Sequence, residues 1–163
     1  MNKSTQLLAL TLCGINLSYA AEVTTTMAAT DGNTPLGTVV FLDTPYGLLV
    51  TPNLSALPAG LHGLHLHEHA SCADHGMGAG EHFDPQHTKS HKGPYNKGHL
   101  GDLPVLYVDA NGKATTPTLA PRLKTSDLKG LAVMIHTNGD NYSDTPPLGG
   151  GGARKACGVV EAP

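Results

Sequence analysis

Short apolar-rich runs recur along the chain, each closed by turn residues, and none is long enough for a typical helix. The runs predict strands over Glu22–Ala29, Leu36–Leu42, Gly47–Pro52, Leu61–Glu68, Val105–Asp109, Lys113–Leu119, Leu131–Thr137 and Cys157–Glu161. Between them lie Asp31-Gly32-Asn33, Thr44-Pro45-Tyr46-Gly47 and Asn111-Gly112, the last a strong hairpin signal. Eight short strands with this punctuation predict an all-β domain, an eight-stranded Greek-key β-sandwich or flattened barrel. Two stretches break the rhythm, residues 69–104 and the Gly-rich residues 138–156. Loops of that length inside a compact domain usually carry function.

Composition agrees with short strands. Charged residues make up 14%, Gly numbers 20, Pro 12, and Trp is absent. The formal charge is −3, and no basic stripe or aromatic platform invites nucleic acid. Lys3, the apolar run Leu7-Leu8-Ala9-Leu10-Thr11-Leu12 and the small residues Ser18 and Ala20 read as a signal peptide over 1–20, cleaved after Ala20. Bulky Leu12 argues against lipid attachment at Cys13, and no segment is apolar enough to span a bilayer. A single mature domain, 21–163, then keeps Cys72 and Cys157, which suit one disulfide in an oxidising compartment.

Of the ten histidines, nine fall between His62 and His99. His65-Leu66-His67 lies on a predicted strand, where residues two apart face the same way. Both imidazoles can serve one metal while Leu64 and Leu66 face the other side. His82, His91, His99 and Asp102 share the first long loop, and three imidazoles with a carboxylate suit zinc. His136 ends the apolar strand Leu131–Thr137. If copper takes His65, His67, His136 and one more, it gains the imidazole-rich set that Cu(II) prefers. If zinc takes His91, His99, Asp102 and one more, both sets close only when one ring uses both nitrogens, and His82 is the natural bridge.

These motifs resemble the copper,zinc superoxide dismutases, specifically the bacterial periplasmic branch. Gly60-Leu61-His62-Gly63-Leu64-His65-Leu66-His67 is similar to the family's first copper motif. His82-Phe83-Asp84-Pro85, His91-Lys92-Gly93-Pro94-Tyr95 and Gly98-His99-Leu100-Gly101-Asp102-Leu103-Pro104 resemble its zinc loop. Met134-Ile135-His136 with Gly139-Asp140-Asn141, and the run from Leu148 to Val160, resemble the last copper ligand and the C-terminal signature. The resemblance implies copper on His65, His67, His82 and His136, and zinc on His82, His91, His99 and Asp102. It further implies that Asp140 links copper-side and zinc-side imidazoles, that Arg154 attracts the anionic substrate, and that Cys72 and Cys157 form the disulfide holding Arg154 near copper.

The implied activity is disproportionation of superoxide to oxygen and hydrogen peroxide, with Arg154 and His82 as catalytic residues. Lys89, Lys92 and Lys97 are steering candidates in an otherwise acidic protein. A periplasmic location and a homodimer are expected, although the Cys72–Glu81 loop looks shorter than in many bacterial relatives. A copper-only relative is disfavoured, because His91, His99 and Asp102 are all present. A copper/zinc storage or delivery protein on the same scaffold is the alternative, and Arg154 and Asp140 speak against it. His62, His69, His75 and His87 are surplus. His62 points away from the ligand pair, and His87 is a candidate ligand for an extra metal or for haem.

Overall fold

The computed structural model describes residues 21–161, so the expected signal peptide lies outside the described residues. Among these residues there are nine strands, three short 3-10 turns and no α-helix. The strands are β1 (Glu22–Ala29), β2 (Pro35–Thr44), β3 (Gly47–Leu54), β4 (Gly60–His62), β5 (Leu64–His67), β6 (Leu106–Val108), β7 (Thr118–Ala120), β8 (Ala132–His136) and β9 (Arg154–Val159). An antiparallel sheet runs in the order β5-β8-β9-β1-β2-β3-β7, and β4 pairs with β6 separately. Leu64 and Leu66 of one edge strand share a single buried cluster with Ala120 of the other edge strand. A flat sheet could not bring its two edges together, so the sheet curls around its core. The expected all-β sandwich or flattened barrel takes this form.

Alternation explains β1, whose pattern buries Val23, Thr25, Met27 and Ala29 on one face. β8 is buried at every position, because both of its faces are covered. Val133 and Ile135 enter the main core, while Ala132 and Met134 lie with Ala79 and Cys157 in a second cluster packed by Cys72.

Four boundaries depart from the pattern. The run Leu61–Glu68 splits at Gly63 into β4 and β5, because β4 pairs with β6 while β5 pairs with β8. At the crossing Gly63 donates to Asn138 O and accepts from His136 N, and a Cβ there would come within 3.1 Å of His65 Cε1. Lys113–Leu119 shrinks to β7, with Ala114 kept only as an isolated bridge to Leu54. Asn111-Gly112 does turn the chain, with Gly112 at φ 76°, but no hairpin follows. β6 and β7 on either side pair with β4 and β3 instead. Finally, β9 begins at Arg154 rather than Cys157, because pairing with β8 recruits the polar Arg154-Lys155.

Candidate metal centre

The sheet register assembles the first donor group. β5 lies against β8 with His65 opposite Met134 and His67 opposite Ala132. Residues 65, 67, 132, 134 and 136 therefore share the outer sheet face, and Leu64, Leu66, Val133 and Ile135 share the core face. The loop of residues 69–104 folds over the outer face and lays His82 beside His67 as an isolated bridge. One donor atom from each of His65, His67, His82 and His136 then lies within 4.8 Å of all the others, and all four residues are buried.

Each ring's proton is fixed by its second nitrogen. His67 Nδ1 donates to Gly80 O at 2.9 Å, and His136 Nδ1 donates to Gly152 O at 3.0 Å. A carbonyl only accepts, so the remaining Nε2 atoms carry lone pairs. His65 Nε2 donates to Asp140 Oδ2 at 2.6 Å. The nitrogens left without a partner are His65 Nδ1 and Nε2 of His67, His82 and His136. Buried polar atoms are rarely orphaned, and four converging orphan lone pairs are what a cation requires.

The second group centres on Asp102. Its Oδ1 lies 3.1 Å from His82 Nδ1, 3.0 Å from His91 Nδ1 and 3.4 Å from His99 Nδ1. Zinc bonds of about 2.0–2.1 Å in a tetrahedron put neighbouring donors about 3.3 Å apart, so these separations fit a shared ion. Asp102 Oδ2 accepts from Lys92 N and Gly93 N, both at 3.2 Å. A grouping of His65, His82, His91 and Asp102 is also compact. His99 is the better fourth member, because His65 Nε2 is already committed to Asp140 and His99 Nδ1 is an orphan.

The electrostatics of the two groups differ. Burial pushes His65 down to about 3, His67 to about 2 and His136 to about 4, so these imidazoles stay neutral at pH 7. Burial also lowers His82, against the pull of Asp102. Burial would lower His91 too, but hydrogen bonding to Asp102 and Asp140 outweighs it and raises that ring to about 9. Burial works against ionisation of Asp102 and Asp140, yet the surrounding imidazoles hold both well below the usual carboxylate range.

Asp140 lies between the two groups and bonds a ring of each. Its carboxylate meets His65 Nε2 at 2.6 Å and His91 Nε2 at 2.8 Å, and accepts from Tyr142 N at 2.7 Å. Cys72 and Cys157 form a disulfide across 85 residues. Arg154 sits opposite His136 in the β8–β9 register. Its guanidinium donates to Gly76 O at 2.6 Å and Gly80 O at 2.5 Å, both in the disulfide-tethered loop. Its charge contributes to the depression of His67 and His136.

Two supporting residues escape sequence reasoning. Gly149 has φ +70°, and a Cβ there would collide with Asp140 Oδ1 and lie 2.7 Å from His91 Nε2. Arg122 donates to Gly98 O at 2.8 Å and His99 O at 3.2 Å, clamping the backbone of the 69–104 loop. The Gly-rich run was a signal for the first; nothing local marks the second. Of the surplus histidines, His62 is buried between Pro58 O and His136 O, at 2.9 and 2.8 Å. His69, His75 and His87 are exposed and outside both donor groups, and His87 occupies a left-handed turn at φ 52°. Lys89, Lys92 and Lys97 are exposed on the same loop.

A sequence-family profile described as copper/zinc superoxide dismutase matches residues 36–160. A superoxide dismutase [Cu-Zn] of Legionella pneumophila is 58% identical, covering 99% of this chain and 100% of its own. One of Photobacterium leiognathi is 46% identical over the same shares. The Cu/Zn superoxide dismutase from Brucella abortus superposes with a TM-score of 0.82 at 44% identity, covering 86% of this chain and 100% of its own. The monomeric copper, zinc superoxide dismutase from Salmonella enterica gives 0.75 at 49% identity, with the same coverage. The chain belongs to the copper/zinc superoxide dismutase family.

Proposed function

We propose that His65, His67, His82 and His136 hold copper, that His82, His91, His99 and Asp102 hold zinc, and that the pair serves disproportionation of superoxide to oxygen and hydrogen peroxide. One observation carries the assignment: His82 belongs to the first donor group and has a partnerless Nε2, while its Nδ1 lies 3.1 Å from Asp102 Oδ1. Copper, when bound, supplies the one-electron couple that the reaction needs, while zinc has no redox chemistry and serves structure.

The chain's own residues do the rest. Arg154 keeps its charge at any working pH and draws a small anion toward the outer face of β8. Two carbonyls pin its guanidinium, so little reorganisation accompanies binding. Lys89, Lys92 and Lys97 add to the capture of an anion by a protein that is acidic overall. His82 Nε2 has no hydrogen-bond partner, so it is the atom that would hold a proton for peroxide when it is not serving as a ligand. Asp140 keeps the N–H groups of His65 and His91 pointed away from the ions.

The test measures superoxide consumption and metal content on one sample. We expect one copper and one zinc per chain, with R154Q keeping both metals while the rate falls about tenfold or more. A fully metallated sample that consumes superoxide no faster than buffer would refute the activity.

Residues 1–20 are proposed to direct export and to be removed after Ala20, giving a periplasmic enzyme; the disulfide supports an oxidising destination. Self-association as a homodimer is proposed through the β4–β6 face. There Leu61 and Tyr107 stand opposite each other, 54% and 53% exposed. A monomer in analytical ultracentrifugation at working concentration would remove that part.

A further inference from the structure

The segment Asp140–Asp144 presents every second side chain to the zinc loop. Asp140 meets the rings of His65 and His91. Tyr142 accepts from Val105 N through its hydroxyl at 2.9 Å, and its ring lies where a Cβ on Gly93 would fall. Asp144 is the third member, and it touches no metal donor atom. Its Oδ1 accepts from the His91 backbone N–H at 2.7 Å, and its Oδ2 accepts from Ser90 Oγ at 3.0 Å. Ser90 O in turn accepts from His99 N at 2.9 Å.

His91 is therefore held at both ends, by Asp140 at ring Nε2 and by Asp144 at the backbone. His99 is tied to the same segment through Ser90. The segment carrying Asp144 is itself fixed. Gly149 N donates to Ser143 O at 3.0 Å, and Asn141 Nδ2 donates to Thr145 O at 3.0 Å. A carboxylate accepting two hydrogen bonds from a loop with no strand of its own is a strong local restraint.

We propose that Asp144 is a positioning residue for zinc: it sets the backbone of Ser90–His91 so that His91 and His99 face Asp102 before the ion arrives. The chemistry is preorganisation, since loop entropy settled on folding is not paid again on binding. This rests on His91 and His99 being zinc ligands, and the experiment separates the two claims.

Purified holoenzyme and its variants are mixed with an excess of a coloured zinc chelator, and zinc transfer is followed by absorbance. D144A is expected to lose zinc about 10–100-fold faster than the unmodified protein, the usual effect of removing an outer support. D144N keeps one oxygen for the His91 N–H and is expected to lose zinc about three- to tenfold faster. Copper content stays at one per chain in both. Cobalt placed in the zinc site provides a second readout, and its visible absorption is expected to change in D144A. A general loss of stability without a change at the site would not alter that spectrum. H91A is the control and is expected to lose zinc altogether. If H91A keeps zinc with the ordinary release rate, the ligand assignment fails. If H91A loses zinc but D144A releases it within about twofold of the unmodified rate, with an unchanged cobalt spectrum, the positioning role alone is overturned. Should D144A not fold, an unchanged release rate in D144N has the same consequence.

Discussion

The two donor groups lie side by side and are built from different material. His65, His67 and His136 stand on β5 and β8, strands whose other face is in the core. His91, His99 and Asp102 stand on a loop with no strand of its own between residues 69 and 104, held by side-chain bonds from Asp140 and Arg122 and flanked by a disulfide. Strand register positions three imidazoles as a by-product of folding, whereas the loop has to be fastened residue by residue. The first group should therefore survive local damage, and the second should be sensitive to distant changes.

The largest expected break is D102A, which removes the atom that three imidazoles approach. Zinc per chain should fall to near zero while copper stays near one, as read by elemental analysis. Loss of both metals would contradict the independence of the strand-borne set.

Next comes the disulfide. Replacing Cys72 and Cys157 by Ala opens an 85-residue link and should cost about 2–5 kcal/mol in urea unfolding. Zinc release should quicken more than copper release, since the loop relaxes while β5 and β8 remain paired.

D140N touches both groups and ranks third. Outer-support changes of this kind lower metal affinity about 10–100-fold, and the effect should be larger for zinc. Competition with graded chelators measures both metals in one titration, and equal losses would deny the contrast.

The metal-free protein offers a further contrast, in its pH dependence. His65, His67 and His136 have folded-state values of about 3, 2 and 4, below the unfolded value near 6.5. The unfolded chain then binds more protons, so stability is lost as pH falls below about 6.5, by about 1–2 kcal/mol per group near pH 5. His91, raised to about 9, behaves oppositely: its contribution is present below about 6.5 and is lost as pH rises through 9. Urea midpoints across pH 5 to 10 should therefore fall at both ends. A midpoint that keeps rising toward pH 5 would remove the neutral, buried imidazoles from the account.

Metal removal itself separates the regions. Amide exchange in the chelated protein should stay slow in β5 and β8 and quicken in residues 82–102, because on the proposed assignment only the latter would draw part of its restraint from zinc.

Much of this was legible in one dimension. A period of two put His65 and His67 on one face and Leu64 and Leu66 on the other, and it gave β1 its limits at Glu22 and Ala29. Imidazoles grouped with Asp102 pointed to metal binding by donor chemistry. Spacing and residue type express such facts locally, so the sequence alone determined the clustering of histidines, the two cysteines available to pair and the all-β class.

Other facts needed partners far away in the chain. Gly63 breaks a strand because β4 and β5 belong to different sheets, and Arg154 joins a strand because β8 pairs with it. Arg122, Asp144 and Gly149 matter through backbone groups and through space left for Asp140, which no local pattern encodes. Tertiary structure alone decided how His82 divides its two nitrogens and how firmly the loop is fastened. The physical reason is that a hydrogen bond or a steric gap depends on which two distant segments meet, whereas alternation and ligand chemistry belong to the residues themselves.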